Sequence, residues 1–316
     1  MAPRKLTEEQ KGRLRVLEPA LKQAAARRDY KRAKEITLSI QNLLRPTGHE
    51  TRLMQAKNWL FETAMEVGEL NTAIQGFIGV RQKVSARTRV YLEATSLLAI
   101  CYLRQKNLQS ARPFMVEALK NVGNITSEAR KSEYKVSLAK RFEDEALLAS
   151  IAQPSNDYLD PQQIQDEAGK IVYSKHEDEI LEALGGTVPE GALDFVDQVH
   201  KESVGLLSYD EKQKLPSPAQ FVERKKLGKG ILAAFQSVIW HSLCDKHSDV
   251  YKMWSTNGME AVFDKRYLTS AIVATLTGLS IGIYAIAVYI TALIIKLGIE
   301  VFCTMYKPVQ IMELRK

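Results

Sequence analysis

One short stretch carries residues of the types and spacing that hold a metal: His241, Cys244 and His247, with Asp245 beside them. On a helix, positions three apart share a face, so His241 and Cys244 can reach one ion, and His247 follows with some curvature. A tetrahedral site needs a fourth ligand, and none is evident. The expectation is that no metal is bound and that Cys244 packs as a small apolar side chain. Other patterns are incomplete. LGKGI (residues 227–231) lacks the spaced first glycine and the Ser or Thr after the lysine that a phosphate loop requires. His176-Glu177 lacks the second histidine of a zinc-protease helix. Glu177, Asp178 and Glu179 read as a solvated helix face. With five scattered histidines no nucleophile–base pair can be assigned. The chain is expected to be non-enzymatic and to need no cofactor.

The elements that would position any function are helical. Glycine and proline are sparse, 17 and 10 in 316 residues, and the common residues are helix formers. The fold class expected is all-α. Three cysteines (Cys101, Cys244, Cys303) lie far apart, so no disulfide framework is indicated and a reducing compartment suits them. The net charge of +7 conceals +11 in residues 1–150, −9 in 151–200 and +5 in 201–316. A basic first half attracts acidic proteins or anionic lipid. Nucleic acid is disfavoured, because aromatics do not interleave with the cations as base stacking needs.

Residues 267–295 run 29 positions without a charge. A membrane-spanning helix needs about 20 apolar residues, so a transmembrane segment is expected over 267–303. Tyr267 and Tyr289 would sit at the two interfaces. Ala271, Ala274, Gly278, Gly282 and Ala285 would form one small-residue face, and Gly278 and Gly282 a pair that lets two helices of a homo-oligomer approach. One long, tilted helix is preferred over a hairpin, since no Pro, Asn or Gly-Gly turn signal interrupts it. The N-terminus lacks a signal-peptide apolar region, so the first part is expected in the cytoplasm; with one span the protein is expected to be single-pass.

The first half repeats a phrase. Asp29, Tyr30 and Ala33 recur as Glu69, Leu70 and Ala73, and again as Asn107, Leu108 and Ala111; the alanines are 40 and 38 residues apart. Such spacing signals stacked helical hairpins, with a small residue where two helices cross. The third unit resembles the tetratricopeptide repeat. Leu98, Ala99 and Tyr102 match its first helix, and Leu108, Ala111, Met115 and Ala118 its second. The second unit matches through Leu60, Leu70, Ala73 and Phe77, but Phe61 and Ala64 depart from the pattern. The first unit fits only through Tyr30 and Ala33. The resemblance covers roughly residues 10–125 and implies a superhelix that binds a protein or peptide on its concave face. There it places Gln55, Asn58, Glu62, Glu93, Ser96 and Arg104. Arg81, Lys83, Arg87 and Arg89 form a cationic cluster able to clamp an acidic partner. A helix over 127–151 would close the array.

The organisation expected is a repeat domain over 1–152, an acidic helical connector over 153–217, basic amphipathic membrane-proximal helices over 218–266, the span over 267–303 and a short tail over 304–316. Helices are expected at 161–173, 176–184 and 190–207. The functional expectation is a membrane-anchored interaction scaffold or sensor. The alternative is a membrane-disrupting, pore-forming effector of a bacterial conflict or anti-phage system, restrained by its repeats until a trigger arrives.

Overall fold

Three helical hairpins open the chain, and the same local device closes each. α1 (Glu8–Ala26) and α2 (Tyr30–Leu44) meet at Arg28. α3 (Glu50–Glu66) and α4 (Leu70–Lys83) meet at Gly68. α5 (Arg89–Arg104) and α6 (Leu108–Lys120) meet at Lys106. All three turn residues are left-handed, with φ of 55°, 86° and 56°. In each turn the following N–H reaches back five residues: Asp29 to Ala24 O, Glu69 to Ala64 O and Asn107 to Tyr102 O, each at 2.9 Å. This cap satisfies carbonyls that a helix end would otherwise orphan. Asp29 and Asn107 then accept the backbone N–H of Arg32 and Ser110, capping the return helix. Ala33, Ala73 and Ala111 are fully buried, where the absence of a larger side chain lets the paired helices close.

This computed structural model describes residues 3–122, 125, 127–152, 159–189, 191–215, 223–246, 248–264 and 266–305. Over these residues the protein is all-helical. The first helices of successive hairpins pack in series, α1 on α3, α3 on α5 and α5 on α7 (Glu128–Ile151), while α2 lies on α3 and α4 on α5. Then follow α8 (Pro161–Ser174), α9 (Glu177–Gly185), α10 (Ala192–Val204), the short α11 (Tyr209–Lys212), α12 (Arg224–Cys244), α13 (Asp249–Asp264, kinked at Gly258), α14 (Tyr267–Gly278), α15 (Tyr284–Leu297) and α16 (Ile299–Met305). α12 is the hub of this second half and touches α7, α9, α13, α14 and α16; α15 lies on α8 and α9. The buried apolar residues form one cluster from Leu6 to Phe302.

α7 has two parts: residues 128–133 are exposed or half-buried, while residues 142–151 are all buried, because α10 and α12 pack on it. α12 is a core helix with a solvated first turn. Ile231, Phe235 and Ile239 are fully buried, and Arg224, Lys226 and Lys229 are exposed.

The largest correction concerns the uncharged run, which is two helices and not one. α14 and α15 have 12 and 14 residues, about 18 and 21 Å at 1.5 Å per residue, against a hydrocarbon core of roughly 30 Å. Among the described residues no helix is long and apolar enough to cross a membrane. The break falls at Ser280, which is left-handed (φ 57°); Ile281 N–H reaches back to Leu276 O at 2.9 Å. That is the turn already used by the three hairpins. The small residues therefore share no single face: Gly278 ends α14, Gly282 lies in the connection, and Ala285 opens α15. Tyr267 and Tyr289 fall on different helices. Protein takes the place assigned to lipid: Leu268, Ile272, Leu276, Ile286, Ile290 and Leu293 are fully buried.

Candidate functional site

The polar residues assigned to a concave face lie mostly between helices. Asn58, Glu93 and Ser96 are fully buried, while Gln55 and Glu62 are half-buried. Gln55 Nε2 donates to Glu93 Oε2, and Asn58 Nδ2 to Val90 O, both at 3.0 Å. Ser96 Oγ shares a 3.1 Å hydrogen bond with the Tyr134 hydroxyl. These bonds tie α3 to α5 and α5 to α7. A buried polar group costs stability unless it is paired, and the next helix in the stack supplies the partners of Gln55 Nε2, Asn58 Nδ2 and Ser96 Oγ; Asn58 Oδ1 finds none among the described residues.

Arg104 belongs to a longer chain of alternating charge. Its Nε and Nη2 grip Glu145 at 2.8 and 3.0 Å; Nη2 also donates to Glu66 at 2.8 Å, and Nη1 to Met65 O at 3.1 Å. Arg28 Nη2 donates to the other oxygen of Glu66 and to Val238 O of α12, both at 3.3 Å. Arg141 completes the row on Glu145. Burial opposes the Glu66 carboxylate, but Arg104 and Arg28 outweigh it and bring its pKa down to about 2. Burial likewise opposes charge on Arg104, yet Glu145 and Glu66 hold its pKa above the ordinary value. The row joins three hairpins, α7 and α12. It is an interlock between the halves of the protein.

The cationic cluster divides. Arg81 is spent inside: its Nη2 donates to Glu117 at 2.6 Å and to the Tyr91 hydroxyl at 2.8 Å, and its guanidinium stacks on Tyr91 and Phe114. Arg89 is half-buried, while Lys83 and Arg87 are exposed. Two further cations belong here, with Lys57 close enough to feel the charges of both Arg45 and Lys83. Arg45 is exposed at the end of α2, and Lys57 is half-buried on α3. Partial burial and the charges of Arg45 and Lys83 lower the Lys57 pKa, and Glu50 pulls it the other way. Among the described residues none of Arg45, Lys57, Lys83 and Arg87 is in an ion pair. The signal was present in the sequence: Arg45 and Lys83 are 38 residues apart, the same step that separates Ala73 from Ala111.

No protein-family model, curated protein or solved structure matches this chain. Its geometry alone therefore carries the functional reading.

In the second half, Gly278 meets the repeats directly. A Cβ built on it would stand 2.5 Å from Glu66 O, so this glycine serves a contact within the chain. Ala285 and Tyr289 line an open cleft of about 510 Å³ with Lys175, Arg224, Glu179 and Glu182. The two cations and two anions offset each other, leaving no preference for a charged ligand. Lys296 Nζ donates to Val172 O at 2.9 Å and Lys175 O at 2.6 Å, which caps the carbonyl end of α8 with a cation. Of the metal candidates, Cys244 is joined to Cys303 in a disulfide and offers no thiolate. The His241 side chain and His247 lie outside the described residues. Among those residues no group of three or more metal-binding side chains forms. The disulfide also corrects the reading of the cysteines. The pairing was not legible, because 59 residues of chain separate the two sulfurs.

Proposed function

We propose that this chain is a non-enzymatic interaction scaffold of tetratricopeptide-like hairpins that takes an acidic protein segment where Arg45, Lys57 and Lys83 gather. The observation that carries this reading is the crowding of like charge around Lys57. A half-buried ammonium beside two other cations costs stability, and an anionic partner turns that cost into affinity and association rate. The repeated left-handed turn and the buried alanines at 33, 73 and 111 support the resemblance to the tetratricopeptide repeat. Titrating the full chain with a labelled oligoglutamate tests the reading. Reversing Lys57 and Lys83 together to Glu is expected to weaken binding by about tenfold or more, as loss of close charge pairs does at other interfaces. Equal binding by the double variant, or equally tight binding of single-stranded DNA, would count against it.

A second reading is a membrane-acting effector, favoured by one observation. The 29 uncharged residues are contiguous in sequence and are interrupted in the fold only between α14 and α15. In this reading the repeats restrain the pair until a trigger releases it into lipid. Dye release from anionic vesicles on adding residues 219–316 would support it, and vesicles that stay sealed would exclude it.

A further inference from the structure

The C-terminal module is held by a covalent clasp. α16 is seven residues long and follows Gly298, which is left-handed (φ 80°) with open space where a Cβ would stand. Gln236 Nε2 donates to Phe302 O at 2.8 Å, Trp240 Nε1 donates to Cys303 O at 3.2 Å, and Phe302 is buried. The Cys244–Cys303 bridge adds the one covalent tie. Cys244 is buried and Cys303 only half-buried, so an incoming thiolate meets Cys303 first. Cys101, by contrast, is fully buried in the repeats; burial pushes its thiol pKa up, and it stays out of this chemistry.

We propose that the Cys244–Cys303 bridge is a redox site, opened by a dithiol reductant, and that its state decides whether α16 is held on α12. One thiolate of the reductant attacks Cys303 Sγ, the S–S bond breaks, and the electron pair leaves on Cys244 Sγ, which takes a proton. The second thiolate of the reductant then displaces Cys303, which also ends as a thiol. The two electrons come from the reductant, which becomes a disulfide. With the bridge open, α16 pivots at Gly298 and uncovers the Trp240 side of α12. This inference does not depend on either functional reading above, and its failure leaves both standing.

The full-length protein tests it in two steps. Alkylation in denaturant should modify one thiol without reductant and three after dithiothreitol. Hydrogen exchange on the native protein should then rise by about tenfold in residues 299–305 after reduction, as expected of a segment that opens locally, with α5 and α6 unchanged. Cys303→Ser should show the fast exchange without reductant, and Cys101→Ser should behave as the parent chain. Three alkylated thiols before reduction would overturn the proposal. So would unchanged exchange in residues 299–305 once the bridge is reduced, a readout that needs no variant to fold.

Discussion

Glu66 stands between Arg28 and Arg104, and each would lose a buried counter-charge without it. Breaking a buried pair from one side costs about 3–5 kcal/mol, because the remaining charges stay desolvated; Glu66→Gln is expected to fall in that range in denaturant unfolding. The carboxyl also predicts a pH dependence. Its pKa is depressed from 4.5 to about 2 in the folded protein, so it stabilises the fold fully above 4.5 and progressively loses that effect as pH falls toward 2. The linked stability is on the order of 3 kcal/mol at one pKa unit per 1.36 kcal/mol. Unfolding free energies measured at pH 7, 4.5 and 3 should fall more steeply in the parent chain than in Glu66→Gln. Parallel slopes would mean that Glu66 is not the group titrating. The sequence showed Glu66 and Arg104 at a 38-residue step. It did not show that they meet, because a lone charge near a helix end reads as solvated until the stacked neighbour is known.

Helix pairing turns on two glycines that looked like something else. LGKGI reads as a failed phosphate loop, yet Gly228 lies where α12 crosses α9. A Cβ built on Gly228 would stand 1.9 Å from Leu181 O, and one on Gly185 1.8 Å from Arg224 O. Each contact is with rigid main chain, so an added methyl must drive the two helices apart. Gly228→Ala is expected to destabilise by about 1–3 kcal/mol or more, as overpacking does. Gly12→Ala is the opposite case. Gly12 is exposed on α1 with nothing near its missing Cβ, and Gly12→Ala should stabilise by about 0.5–1 kcal/mol through helix propensity. Denaturant midpoints that moved in the same direction for both would refute the crossing. Elements themselves were legible where their signals are local. α8 begins at Asp160-Pro161 with the capping bond to Gln162, and α9 ends at paired glycines. The α9–α12 crossing was not legible, because no periodicity within one helix names the helix that will lie against it.

At the scale of the whole molecule, the uncharged segment decides whether the repeats stand alone. Twenty-nine apolar and small residues suit a bilayer and a protein core equally, since both ask only that the surface be apolar all round. What separates the two is a left-handed turn at Ser280 and partners contributed from far away in sequence. Thr269 Oγ1 bonds Gln165 at 3.0 Å, Lys296 caps α8, and Gly278 abuts Glu66 O. None of these can be read from the segment itself. A detachable anchor could be removed at Phe263 and leave an intact scaffold; a core element could not. Ending the chain there strips the fully buried Leu268, Ile272, Leu276, Ile286, Ile290 and Leu293 from one continuous core. It also exposes the surfaces of α8, α9 and α12 that they cover. Each such side chain contributes about 1.5–3 kcal/mol on burial, and together the six are worth about as much as the 5–15 kcal/mol by which domains are stable. Residues 1–263 are therefore expected to aggregate or to unfold without a cooperative transition, as followed by light scattering and calorimetry against the full chain. A truncated protein that melts cooperatively within a few degrees of its parent would show that α14 and α15 are an appendage, and the anchored arrangement would regain its ground.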